Sequence, residues 1–335
     1  MASNSGWYAS QLRHELQLRN RLYARGRLHV ESYGNPPVIV YAPEDGGGHG
    51  NFFDPAYAAI TANPDWMRRF NKIHTLAART LPKAERRWRE LDSSMSSDAL
   101  LMNIFCTPAV VRSVLIRNAL GIDAEVTPVF GWKARVPLTS GRTDRTEVDM
   151  RMSSLLVEAK LTEADFQTRS APIVEAYRDL DRVFERDLLP RVEIPILRAR
   201  RASEFPENYS QEFESFTADP DTFSHIDGII HPPGEPGYAS YQLIRNVLAA
   251  YAEQCSFCVL HDARRPDLRE EWFRVMASVK HAEMRVRLKV LTWQELSAYL
   301  PDELQDFLES KYGIVAPGKI SSSLEEPQGT NFERP

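Results

Sequence analysis

Two carboxylates and one ammonium group stand at a spacing suited to phosphoryl chemistry. Asp149 is followed, after an eight-residue gap, by Glu158-Ala159-Lys160. The first lies in Thr146-Glu147-Val148-Asp149-Met150, the others in Leu155-Leu156-Val157-Glu158-Ala159-Lys160-Leu161. Side chains alternate along a strand, so Glu147 and Asp149 share one face, as do Glu158 and Lys160. Val157, Ala159 and Leu161 then point the other way, into a core. The short connection at Ser153-Ser154 predicts a hairpin of 145–152 with 155–161, so that Asp149 and Glu158 converge on one ion. Hydrolysing a phosphodiester calls for a divalent metal to polarise the phosphoryl oxygen and acidify a water. Mg²⁺ is held by one or two carboxylates with substrate phosphate and water, and Mn²⁺ is expected to substitute. A lysine beside the ion orients the attacking water or stabilises charge developing on phosphorus. Two carboxylates this close repel unless a cation lies between them.

Other elements must position this hairpin. Residues 9–25 predict a polar, Arg-rich helix with Leu12, Leu16, Leu18 and Leu22 as a partial stripe. Val38–Tyr41 predicts a strand, and Glu44–Gly50 a glycine-rich loop without the Lys-Ser/Thr of a phosphate loop. Residues 54–92 predict helical pieces broken at Pro64 and Pro82. A helical pattern over 96–119 restarts at Pro108. Val126, Val129 and Phe130 predict a strand. Ile173, Tyr177, Leu180, Phe184 and Leu188 recur as one helix over 173–189. Residues 190–239 are proline-punctuated and irregular. A helix at 240–254, a strand at 257–261, a helix at 268–279 and a strand at 286–291 follow. Thr292 and Glu295 form a capping-box pattern, and Pro301 opens a further helix. The expected organisation is a helical N-terminal extension (1–89), an α/β core with a mixed sheet (90–317) and a disordered tail (318–335).

Composition sets broad limits. The chain has 335 residues, 43% hydrophobic and 26% charged, enough for a sizeable core. A net charge of −5 excludes a uniformly basic coat but not a local basic patch. Three cysteines make no disulfide framework in a chain of this length and fit a reducing compartment. With no long apolar run and no signal-like N-terminus, a cytoplasmic protein without a membrane partner is expected. Cys255, Cys258 and His261 lack a nearby fourth zinc ligand, and packing is the favoured reading. A second Glu-x-Lys, Glu309 and Lys311, falls in a helical pattern and reads as a solvated face.

Asp149, the gap and Glu158-Ala159-Lys160 resemble the D-x(n)-E-x-K signature of the PD-(D/E)xK, restriction-endonuclease-like nucleases. Val148 stands where the motif name has proline. The stretch Ser96–Phe105 resembles the opening of a sparsely characterised bacterial branch of that group. The resemblance implies a restriction-endonuclease-like mixed sheet flanked by helices. It also implies Mg²⁺-dependent cleavage of nucleic acid, DNA first, in defence or repair. Asp149, Glu158 and the Ala159 carbonyl would ligate the metal, and Lys160 would assist the water. Glu90, before the hairpin, and Gln242, on the helix after the irregular segment, would join the catalytic set. Gln242, Arg245 and Asn246 share one helix face. Arg198, Arg200, Arg201 and Arg245 are expected to meet nucleic acid, with Arg191 beside the first three and Arg86, Arg87 and Arg89 as a second cluster. Many enzymes of this type act as homodimers. The alternative is a nuclease-like fold that holds nucleic acid or a protein without cutting.

Overall fold

The computed structural model describes residues 5–32, 37–73, 89–123, 125–194 and 234–319. Five strands form the central sheet: β1 (Val129–Lys133), β2 (Glu147–Met152), β3 (Leu155–Ala159), β4 (Ser256–His261) and β5 (Leu288–Thr292). Their order is β5-β4-β3-β2-β1. β1, β2 and β3 pair antiparallel, whereas β3, β4 and β5 pair parallel. The reason is in the connections. Ser153 takes a left-handed φ of 51°, so two residues suffice to reverse the chain between β2 and β3. The parallel step from β4 to β5 needs a crossover, supplied by the helix Pro266–Ala277. This is the α/β architecture, a mixed sheet flanked by helices, that the element order and the resemblance implied.

Burial follows strand position. β2 alternates half-buried and buried residues, as a strand with one polar face should. β3 is central and buried along its whole length. Met150, Met152, Val157 and Ala159 join one core cluster, which also takes Leu12 and Leu16 from helix α1 (Ser5–Tyr23). The N-terminal helix is thus built into the core of the sheet. A second cluster joins Leu156 and Val259 to Leu243 and Val247 of a later helix. Each such side chain contributes roughly 1.5–3 kcal/mol by leaving water.

Helix α2 (Pro64–Phe70) begins at Pro64, with Asn63 as its cap. Helix α3 (Ser97–Phe105) is capped by Ser96, and a further short helix starts at Pro108 as expected. Helix α4 (Tyr241–Ala252) lies over the hairpin, and helix α5 (Asp302–Tyr312) packs on α1. The Thr292–Glu295 capping box is present. Among the described residues no helix is long and apolar enough to cross a membrane.

Three expectations fail. The helix over 173–189 is three short turns, Ala171–Glu175, Leu180–Val183 and Arg186–Leu188. Tyr177 interrupts it by bridging to Leu138, and its hydroxyl bonds Asp144 and Tyr241. Leu18 and Leu22 of the predicted stripe are exposed. Glu309 and Lys311 are not a solvated face: both are buried. Lys311 lies 4.4 to 5.4 Å from the ring centroids of Tyr41, Tyr312 and Tyr23, and donates to Asn20 Oδ1 at 3.0 Å. Burial, helped by Arg27, pushes its pKa well below that of an ordinary lysine.

This sets a pH dependence. The unfolded lysine keeps its proton up to its ordinary pKa of 10.5, whereas the buried one gives it up earlier. Between those limits the unfolded chain binds more protons, so raising pH favours the fold. As pH rises towards 10.5, the wild type should gain stability relative to Lys311→Met, by at most about 1.4 kcal/mol per pH unit. Melting curves of the two proteins running parallel across that range would show that Lys311 stays charged in the fold.

Candidate active site

The hairpin ladder ends at the pair Met150 and Val157. The next residues, Asp149 and Glu158, face each other where β2 and β3 part. β2 stays paired to β1 there, and β3 to β4. The Ala159 N–H donates to Asp149 Oδ2 at 2.7 Å. Along a strand the N–H and C=O of one residue face the same neighbour, so the Ala159 carbonyl is also turned towards Asp149. The Lys160 N–H points the other way, to the Leu260 carbonyl on β4 at 2.8 Å.

Glu158 and Lys160 are both buried. Lys160 Nζ donates to Glu158 Oε1 at 2.7 Å and to Gln242 Oε1 at 2.9 Å. Asn246 Nδ2 donates to Glu158 Oε2 at 2.8 Å. An ammonium only donates and a carboxylate only accepts, so both amide orientations are dictated by chemistry. Gln242 and Asn246 are one helical turn apart on α4, which is why both reach the same hairpin. The chain beyond Lys160 is pinned as well: Trp293 Nε1 donates to the Lys160 carbonyl at 2.9 Å. Arg265 grips the carbonyls of Glu163 and Ala164 at 2.6 and 2.8 Å.

A second acidic group adjoins Asp149. Glu90 comes from a single turn at Glu90–Asp92, Asp98 from the first turn of α3, and Glu147 from β2. Arg69, at the end of α2, contacts the Asp98 carboxylate and lies 3.3 Å from Glu147 and 3.8 Å from Glu90. Lys72 lies 3.3 Å from both Glu90 and Glu147. Glu163 joins through Ser97 Oγ at 2.5 Å. Among the described residues, six carboxylates (Glu90, Asp98, Glu147, Asp149, Glu158 and Glu163) therefore meet three cations (Arg69, Lys72 and Lys160).

That imbalance shows in the proton affinities. Burial, then the neighbouring Glu158 and Asp98, raise the Asp149 pKa well above the carboxylate range, and Lys160 and the Ala159 N–H only partly offset them. Burial likewise raises Asp98, despite Arg69. Lys160 behaves oppositely: burial opposes its charge, but Glu158, Glu163 and Asp149 outweigh that and lift its pKa. The ammonium is firmly held, whereas Asp149 and Asp98 both bind a proton more readily than an ordinary carboxylate.

Among the described residues, no group of three or more His, Cys, Asp and Glu side chains is set to hold a metal. Mg²⁺ requires no such group. Two carboxylates and a carbonyl of hard oxygen, completed by water and phosphate, suit it. Asp149, Glu158 and Ala159 offer that donor set.

Residues 18–313 match the family model described as restriction endonuclease associating with ARP. The chain belongs to this family. No curated protein and no solved structure matches it. Membership in a restriction-endonuclease family agrees with the hairpin that carried the resemblance.

Within this restriction-endonuclease-like chain, the structure brings Asp149, Glu158, Ala159, Lys160 and Gln242 together, with Glu90 in the adjoining acidic group. Arg245 departs from expectation. It is buried, donating to Asp144 Oδ2 at 2.9 Å, to Asn246 Oδ1 at 2.7 Å and to the Thr146 carbonyl. Its guanidinium is committed inside the fold, where it orients Asn246 rather than meeting a phosphate. Arg86, Arg87, Arg198, Arg200 and Arg201 lie outside the described residues. Arg89 pairs with Asp92, and Arg191 stacks near Tyr238. Cys255 and Cys258 enter different core clusters, and burial pushes their thiols up to about 11 and about 12. Sequence reading missed Arg69, Lys72 and Asp98. An acid in the first turn of an otherwise apolar helix was the one available signal, at Asp98.

Two outcomes follow from these contacts. Replacing Arg245 with Met leaves Asp144 without its buried partner and should cost roughly 3 kcal/mol, read by chemical denaturation. Asp149→Asn should stabilise the metal-free protein. A raised carboxyl pKa favours the fold at low pH and loses that contribution as pH climbs through the folded value. The melting-temperature gain from Asp149→Asn should therefore be largest near neutral or higher pH and shrink towards about pH 4. A variant less stable than wild type at every pH would contradict this.

Proposed function

We propose that this protein hydrolyses phosphodiester bonds of nucleic acid, DNA in the first place, with Mg²⁺ held by Asp149, Glu158 and the Ala159 carbonyl. The observation that carries this reading is the meeting of Asp149, Glu158 and Lys160 where β2 and β3 separate. When bound, the metal supplies positive charge to the phosphoryl oxygen and makes a nearby water more acidic. The remaining roles belong to side chains. Lys160 carries its proton throughout, so it acts as a donor, orienting the attacking water or meeting negative charge on the phosphoryl group. Glu158 cannot swing, because Asn246 and Lys160 each hold one of its oxygens. Gln242 spends its oxygen on Lys160, which leaves its amide N–H₂ to donate to a phosphate. Glu90 stands at the edge of this centre, tied to it through its ion pairs with Arg69 and Lys72. The family description couples these endonucleases with ARP, and a protein partner of that kind belongs to the same reading.

Supercoiled plasmid with Mg²⁺ tests it. The wild type should nick or linearise DNA, and a chelator should stop it. Lys160→Ala and Asp149→Asn should each lose about 10²-fold or more in rate while retaining their fold. Gln242→Ala should lose about 10- to 100-fold, the worth of one hydrogen bond to a charged group. If Lys160→Ala cuts at the wild-type rate, the lysine is not part of the machinery. Metal-independent retention of DNA on a filter, with no product, would favour a binding module on the same fold.

A further inference from the structure

Arg69 reaches the acidic group from outside the hairpin. Helix α2, which carries it, is tightly located. Asn63 Oδ1 accepts the N–H groups of Asp65 and Trp66, Pro64 opens the first turn, and Phe70 is buried at the end. Trp66 Nε1 fastens the helix to the Pro128 carbonyl, just before β1, at 2.9 Å. The Arg69 side chain is only 9% exposed. Its guanidinium joins Asp98 and Glu147, with Glu90 at 3.8 Å, and Asp149 adds to the same negative field. Opposite Asp149, β1 carries Gly131 at a φ of +64°. A Cβ there would come within 3.3 Å of Glu147 Oε2 and 3.6 Å of Arg69 Nη1. The backbone has made room for this ion pair.

A guanidinium lodged against Asp98, Glu147 and Glu90, with Asp149 in the same field, supplies positive charge where a second divalent ion would. We propose that Arg69 is a resident cation that takes the place of a second metal, so that the centre holds one divalent ion. This rests on the reading of Asp149, Glu158 and Ala159 as the metal ligands. Arg69 is a positioning residue here: it commits Asp98, Glu147 and Glu90 to itself, leaving Asp149 to turn towards Glu158. Lys72, half-exposed and bridging the same acids, reinforces the charge from the solvent side. A guanidinium is planar and permanently charged, and it can bridge two carboxylates where a hydrated ion needs six oxygens in fixed geometry.

Counting bound Mn²⁺ by electron paramagnetic resonance and calorimetry on the full chain decides this. The wild type should bind one ion per chain, and Asp149→Asn should lose it. Arg69→Gln should bind two, and Asp98→Asn in that background should return the count to one. Mn²⁺ should also raise the melting temperature of Arg69→Gln more than that of wild type, because Asp98 and Glu147 then lack their own cation. Two ions in the wild type overturn the proposal without any variant, as does one ion in folded Arg69→Gln. No bound ion in the wild type, or one that Asp149→Asn keeps, instead overturns the metal-site reading and takes the proposal with it.

Discussion

Negative charge held away from water is the constraint on which this structure depends. Among the described residues, six carboxylates converge around the open end of one hairpin, and three cations face them. Carboxylates in a low-dielectric setting repel strongly, and a protein can hold them together only with protons, cationic side chains or metal. Here Arg69, Lys72 and Lys160 stand among the carboxylates. Asp149 and Asp98 have raised proton affinity, Lys160 is pinned to Glu158, and Arg69 and Lys72 bridge the rest. Local instability of this kind is characteristic of sites kept for chemistry rather than for packing.

The surrounding polar network exists to keep that charge in register. Asn246 holds Glu158, Arg245 holds Asn246, and Asp144 holds Arg245. Tyr177 donates to Asp144 and meets the Tyr241 hydroxyl, which closes the chain back onto α4. Each link is hydrogen-bonded to the next, so the buried polar atoms are satisfied and few alternative rotamers compete. Burying Arg245 fully is reasonable only in such a chain. An unpaired guanidinium in the core would be costly, whereas one shared by a carboxylate, an amide and a carbonyl fixes three elements at once.

How much of this was legible depended on sequence distance. The hairpin could be read because its information is local: a two-residue turn, period-two alternation and an acid on each strand lie within 147–160. The Thr292 capping box and the Pro108 helix start were legible for the same reason. Gln242 and Asn246 stood out as neighbours on one helical face, though nothing local said that Glu158 and Lys160 were their partners. Arg69 meets Glu147 and Asp98 across long separations, and only packing of α2 on β1 brings them together. Lys311 misled for the complementary reason. A helical period containing a lysine predicts solvent, but rings that cover it come from Tyr23 in α1 and Tyr41 in the strand Ile39–Tyr41. The false helix over 173–189 arose likewise, since Tyr177 answers to Asp144 and Tyr241 rather than to its helical period.

Topology explains why the charge gathers at this one point. β3 is the strand at which the sheet changes from antiparallel to parallel pairing. Its two neighbours therefore make different demands on its backbone. Towards β4 the ladder continues through Ala159, and the Lys160 N–H still bonds Leu260. Towards β2 the ladder has already ended at Val157, so the Ala159 amide is released from strand pairing and binds the Asp149 side chain instead. A fork in the sheet thus leaves backbone oxygen and carboxylate side by side, at the carboxyl end of a parallel strand where open α/β sheets generally place ligands. Continuing the β2–β3 ladder by two residues would pair the Ala159 backbone and close the gap. The break in pairing is as necessary to the site as the acids themselves.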